Sequence, residues 1–259
     1  MNKNLVRQWV NVIAVLAVIV INILANALPL NGQNTGAISD RFAVFFVPAG
    51  YVFSIWGLIY IGLLLFAIYQ ALPSQRENPR LVKIGYWFAF SSLANIAWLF
   101  LWHYLQFAWT IFAMLALLIS LLVIYLRLGI GKENVPSSER WMVQTPFSIY
   151  LGWISVATIA NATQLLDFLK WNAWGISPEI WAVILLAIAT VLSSAMSFRR
   201  GDIAYSAVIA WAFVGIALKY VATPLVSIAA WVATAVVLVD LVGGSILHAR
   251  RQRLPLKGS

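Results

Sequence analysis

The side chains best placed for chemistry in this sequence are indoles and amides set inside long apolar runs. Trp56, Trp98, Trp153, Trp211 and Trp231 all lie well within such runs. Asn95 stands three residues before Trp98, and Asn161 eight residues after Trp153, with Ala157 midway. On a helix each of these sets shares one face. Indole faces, a few amides and the gap beside a small residue would together enclose a flat, largely apolar ligand. The same pattern serves ordinary helix packing, where small residues and Asn contacts hold neighbours together. Spacing alone leaves both readings open.

Catalytic constellations are absent from the sequence. It has no Cys and two His, which excludes thiolate nucleophiles, zinc–thiolate and iron–sulfur sites and a His-rich metal centre. No G-x-x-x-x-G-K-[ST], H-E-x-x-H or G-x-S-x-G segment occurs. The chain therefore reads as a binding protein more than an enzyme, with no catalytic residue, no metal site and no required cofactor. His103 and His248 fall at the edges of apolar runs and read as interfacial residues. A charge inside a membrane span is a functional candidate by default. Asp240 is the foremost one, with Arg199, Arg200 or neighbouring Ser and Thr as partners, in a structural pair or a proton relay. Lys219 sits near the end of another run, from which its side chain can snorkel to water.

The elements that must position these groups follow from composition. Of 259 residues, 63% are apolar and 10% charged, against about 45–50% and about 25% in soluble domains. That balance excludes a water-soluble fold, a disordered chain and a nucleic-acid-binding domain, and it fits a bilayer. Eight apolar runs are long enough to cross, at roughly 9–28, 43–70, 81–105, 107–128, 141–168, 178–197, 203–221 and 225–247. With the N-terminus inside, only Arg41, Lys170 and Lys219 fall on outer segments, and every other Lys and Arg falls on an inner one. This asymmetry predicts eight transmembrane helices, N-in/C-in, in an all-α integral membrane protein. It also explains the net charge of +9 as an orientation signal. The basic tail from Arg250 to Lys257 is suited to anionic lipid. Trp9, Trp87, Trp109, Trp141, Trp171, Trp174 and Trp181 fit an aromatic belt. The first run, with Lys3, Arg7 and Ala25-Asn26-Ala27, imitates a signal peptide. Its unbroken apolar stretch is at the long end for a signal, so a retained span is expected. The connection from Leu28 to Phe42 is long enough to fold over a cavity mouth.

Three stretches carry a family resemblance. PAGYVFSIWGLIY over 48–60 resembles P-x-x-W-V-F-x-x-W-x-x-L-Y. NIAW over 95–98 resembles N-x-x-W, and WISVATIAN over 153–161 resembles W-x-x-x-A-[ST]-x-x-N. In this order and spacing they resemble the TspO/MBR family, the tryptophan-rich sensory proteins related to the mitochondrial translocator protein. The resemblance covers residues 1–170 and implies a five-helix core with a pocket between helices one, two and five, closed by the first loop. Family members bind porphyrins, sterols and synthetic ligands there, and some bacterial members are reported to promote porphyrin photodegradation. Carried over by motif, Trp56 and Trp153 would face the ligand, while Tyr51, Phe53, Asn95, Trp98, Ala157 and Asn161 would complete or shape the site. Tyr51 replaces the first Trp of the loop motif, Ile55 stands where Pro is common, and the W-Y-x-x-L-x-K-P run before Pro48 is missing.

Residues 171–259, three further transmembrane helices and the basic cytoplasmic tail, have no counterpart in five-helix members. They would cover one side of the core, replace a homodimer interface or add a second function. The expectation is a ligand-binding or sensory protein of a bacterial inner (plasma) membrane, in contact with lipid and taking a planar apolar ligand such as a porphyrin or other tetrapyrrole. A small-molecule transporter or channel and a tetrapyrrole-modifying enzyme are the alternatives.

Overall fold

A computed structural model of the chain describes residues 2–28 and 30–253; Pro29, the segment from 254 on with Lys257, and the side chains of 251–253 lie outside it. Helices account for most of the described residues, and none of these forms a strand. Helix α1 (Lys3–Ala27) is capped by Asn2, whose side chain accepts from the Asn4 backbone N–H. The connection after it holds a short α2 (Thr35–Ser39) and ends in a 3₁₀ turn, Gly50–Ser54, that leads into α3 (Ile55–Ala71). Then come α4 (Pro79–Ile84), α5 (Trp87–His103) and α6 (Phe107–Arg127). A single turn, α7 (Ser137–Glu139), runs through a π segment, Arg140–Gln144, into α8 (Thr145–Phe168). Three more helices follow: α9 (Pro178–Arg200), α10 (Ile203–Lys219) and α11 (Pro224–Arg253).

Each of the eight apolar runs thus contains a helix. Among the described residues, six helical stretches are long and apolar enough to cross a membrane: Lys3–Ala27, Gly50–Ala71, Phe107–Arg127, Ser137–Phe168, Pro178–Arg200 and Pro224–Arg250. Helices α5 and α10 have 17 residues each, or about 26 Å of rise, somewhat short of a hydrocarbon layer of about 30 Å. The run at 81–105 is not one helix. Gly85 takes φ +59°, a backbone conformation that ends α4, and the chain restarts as α5 two residues later.

Five helices close into a ring. Helix α1 packs on α3 and α5, α6 bridges α5 and α8, and α3 meets α8 to complete the circuit. The remaining three pack on one another, with α10 laid against α8. The α8–α10 approach depends on Gly152, where a Cβ would stand 3.0 Å from the Tyr205 carbonyl oxygen. Inside the ring the rings of Phe66, Phe88 and Phe147 meet at centroid distances of 5.0, 4.9 and 5.9 Å. One end of the bundle carries the 28–54 connection and is called the loop end here. The opposite, basic end is tied by Glu139, which is buried and accepts from Arg80 Nη2 at 2.8 Å and Asn78 Nδ2 at 3.0 Å.

The charges inside the apolar runs find local partners. Asp240 accepts a hydrogen bond from Ser194 on α9 rather than pairing with Arg199 or Arg200. Lys219 reaches Asp40 in the first connection, Nζ to Oδ1 2.7 Å. His103, the last residue of α5, is fully buried: Nδ1 lies 2.9 Å from the Leu99 carbonyl, so that nitrogen carries the proton and donates.

Candidate functional site

At the loop end the five-helix ring carries two adjoining, partly open hollows. The larger, about 840 Å³, is lined by Asn22 and Asn26 of α1, Asp40 of the first connection, and Phe53, Trp56 and Trp98. The smaller, about 50 Å³, lies among Trp98, Trp102, Trp153, Ala157 and Asn161. Thr35, Phe53 and Trp98 line both and form the wall between them.

Indoles from separate helices converge on this wall. Trp56 from α3 meets Trp153 from α8 edge to face, with centroids 6.4 Å apart and planes at 84°. Phe53 packs on Trp153 at 5.6 Å in the same manner. Trp56 stacks on Tyr60 at 5.6 Å, and Trp98 stacks on Trp102 at 5.3 Å. Edge-to-face and offset contacts of this kind hold aromatic rings in fixed orientations. Trp153 is 3% exposed, yet its indole N–H has no partner among the described residues. A buried donor without an acceptor is costly, and such a group is an open valence for something that enters.

Amides brace the walls in two chains. Asn161 donates to Thr110 Oγ1 at 2.9 Å and accepts from Trp98 Nε1 at 3.3 Å, which ties α8, α6 and α5 together and fixes the Trp98 ring. Asn22 donates to Asn95 Oδ1 at 2.8 Å, and Asn95 donates to Tyr150 Oη at 3.1 Å. This second chain joins α1, α5 and α8 behind the larger hollow. In hydrocarbon such bonds hold helix rotation as well as position.

The first connection folds over these hollows and is fastened from both sides. On the core side Trp102 Nε1 donates to the Thr35 carbonyl at 3.2 Å and Gln164 Nε2 donates to Ser39 Oγ at 2.7 Å. On the other side helix α10 holds it. The Ala49 N–H donates to the Gly215 carbonyl at 3.2 Å, Trp211 Nε1 to the Val52 carbonyl at 3.1 Å, and Tyr220 Oη to the Val44 carbonyl at 2.9 Å. The Lys219–Asp40 pair adds a fourth link.

Of the residues singled out from sequence, Phe53, Trp56, Trp98, Trp153, Ala157 and Asn161 come together around the two hollows. Asn95 does not line either one; it is buried behind the wall as a brace. Tyr51 turns away, 46% exposed, and packs on the Trp211 ring at 5.5 Å. Sequence reasoning passed over Asn22, Asn26, Thr35 and Tyr150. The signal for the first two was present as Asn at i and i+4 in an otherwise apolar span.

A family model described as TSPO-like protein matches residues 8–242, which takes in the five-helix ring from residue 8 on, all of α9 and α10, and α11 as far as residue 242. No curated protein and no solved structure matches the chain.

Proposed function

The chain belongs to the TSPO-like family, and on that footing we propose that it is a membrane receptor for a planar, largely apolar ligand, a porphyrin or another tetrapyrrole. The ligand sits at the loop end of residues 1–170, against Phe53, Trp56 and Trp98, with Trp153, Ala157 and Asn161 shaping the inner recess. The observation that carries this reading is the Trp56–Trp153 contact beside a hollow, together with the unpartnered Trp153 N–H. A macrocycle would lie on the indole faces in the larger hollow. A carbonyl or carboxylate substituent reaching inward would accept from Trp153. Helix α10 and Tyr220 at its end contribute by holding the first connection in place.

The proposed setting is a bacterial inner membrane, crossed eight times with both termini inside. The basic-residue asymmetry supports this orientation. Helix α4, continuing into α5 across the Gly85 bend, supplies length that α5 lacks alone. Function here is binding; the carboxylate on the lining of the larger hollow, Asp40, is held in an ion pair with Lys219.

The test is quenching of tryptophan fluorescence by protoporphyrin IX in detergent or nanodiscs. Trp56→Phe/Trp153→Phe keeps aromatic bulk and removes one stacking indole and the free N–H, and the other indoles still report. Two weakened ring contacts at about 0.5–1.5 kcal/mol each predict affinity roughly tenfold lower. Equal affinity in the double variant would remove the site assignment.

A further inference from the structure

A second cavity lies on the outer flank of α8, and it shares no lining residue with the two hollows of the core. It holds about 400 Å³, a size ordinary for small-molecule sites. Helix α8 divides its faces between the two sites: Ala157, Ala160 and Asn161 line the inner recess, while Ile159, Ala162 and Leu166 line this one. The first connection closes one wall with Phe45 and Phe46, and the start of α9 closes another with Trp181 and Ala182. Ala162 and Ala182 face it from opposite helices, and their lack of bulk keeps the space open.

Its polar content is sparse and one-sided. The Thr158 and Thr163 hydroxyls are bonded back to the Ile154 and Ala160 carbonyls at 2.7 and 2.8 Å. That leaves Asp167, half-buried, whose carboxylate makes no hydrogen bond or ion pair among the described residues. Lys170, one turn on, does not neutralise it. Beside it stands a cluster of indoles, of which Trp171 and Trp181 line the cavity. Trp171, Trp174 and Trp181 meet pairwise at 5.1, 5.4 and 5.8 Å, and Trp181 Nε1 is pinned to the Ala173 carbonyl at 3.1 Å. An aromatic belt accounts for tryptophan at this level, but not for a cavity beside the rings with a lone carboxylate on its wall.

A negative group without a counter-ion, indole faces and an apolar slot are together the recognition chemistry of a hydrophobic cation. We propose that this cavity binds a hydrophobic primary ammonium, whose apolar body fills the slot between α8 and α9 and whose nitrogen meets the Asp167 carboxylate beside Trp171 and Trp181. That chemistry is shared by free arylalkyl or alkyl amines and by lipids with an ethanolamine headgroup. The site is independent of the tetrapyrrole reading, because it lies on the other face of α8.

The experiment is titration calorimetry on the full chain in phosphatidylcholine nanodiscs, with 2-(1-naphthyl)ethylamine and its uncharged counterpart 2-(1-naphthyl)ethanol. The amine is expected to bind at least tenfold more tightly than the alcohol. Asp167→Asn is expected to erase that preference, since it removes the charge and little else at a half-exposed position. Ala162→Phe fills the slot and is expected to abolish amine binding, while Trp153→Phe leaves it unchanged. Protoporphyrin quenching is expected to be the same in Asp167→Asn as in the native chain, so failure of either site is read separately. Replacing a third of the lipid by phosphatidylethanolamine identifies the source. A drop in apparent amine affinity means the headgroup occupies the site, and no drop means a free amine does. Equal binding of amine and alcohol, as a slot for lipid chains alone would give, overturns the proposal. So does wild-type amine affinity in Asp167→Asn, or loss of it in Trp153→Phe.

Discussion

Gly215→Val is expected to weaken protoporphyrin IX binding by thirtyfold or more, although residue 215 touches neither hollow. A Cβ at this position would stand 2.2 Å from Val52 Cγ2 and 3.0 Å from Pro48 Cβ. Val52 is fully buried and stiff at χ1, and Pro48 is a ring, so neither side chain can swing clear. The Pro48–Val52 turn must lift as a unit. Lifting it breaks the Ala49–Gly215 backbone bond and the Trp211–Val52 bond, the two links that seat the turn on α10. Phe53 follows that turn directly and Trp56 opens the helix beyond it, so the wall between the hollows moves with it. Overpacking of this kind costs about 1–3 kcal/mol, and at roughly 1.4 kcal/mol per tenfold the upper half of that range gives the expected loss. Gly57→Val is the control: a Cβ there meets nothing within 4 Å. Its affinity should match the native chain. If Gly215→Val binds within about threefold of that control by the same fluorescence titration, α10 does not set the geometry of the site.

This dependence on α10 is what the sequence conceals. Residues 153, 157 and 161 share a face by helical arithmetic, and the structure places all three at the inner recess. The relation within one helix is local, so spacing reveals it. How each helix is rotated against its neighbours is not local. In a membrane the lipid-facing and core-facing positions are alike apolar, and periodicity loses its power to say which face is which. Asn95 is legible as a residue that shapes the site, but its partners are not: it is the middle of an Asn22–Asn95–Tyr150 brace. Tyr51 stands at a motif position where the family has Trp, and it rests on Trp211, a residue 160 positions away that no local pattern could bring to it. Gly85 was invisible within its apolar run because hydropathy does not register backbone conformation. For the three C-terminal helices the sequence leaves open whether they cover the core, replace a dimer interface or add a function; the contacts of Trp211, Lys219 and Tyr220 with the first connection make α10 part of what holds the site together.

The same blindness hid the most consequential charge. Asp240 stands out in sequence because it interrupts an apolar run, whereas Asp202 follows Arg199 and Arg200 in a polar stretch between two apolar runs. In the structure Asp202 is 7% exposed and serves three elements at once. Its carboxylate accepts from Tyr125 Oη on α6 at 2.8 Å and from Ser148 Oγ on α8 at 2.7 Å, and it caps α10 by accepting the Tyr205 N–H at 3.0 Å. It is thus a polar rivet between the five-helix ring and the three-helix unit. Asp202→Ala is expected to destabilise the chain by about 3–5 kcal/mol, since two buried hydroxyls lose their acceptor at about 1–3 kcal/mol each and a helix loses its N-cap at about 1 kcal/mol. Unfolding in mixed micelles under a denaturing detergent would measure it. The decisive comparison is with Tyr125→Phe/Ser148→Ala/Asp202→Ala. Deleting the donors along with the acceptor leaves no orphaned hydroxyl, so the triple variant should recover most of the loss and retain only the cost of the missing cap. If the triple variant is as unstable as Asp202→Ala, the carboxylate matters for the space it fills or for α10 alone, and the bonds to α6 and α8 do not join the two units.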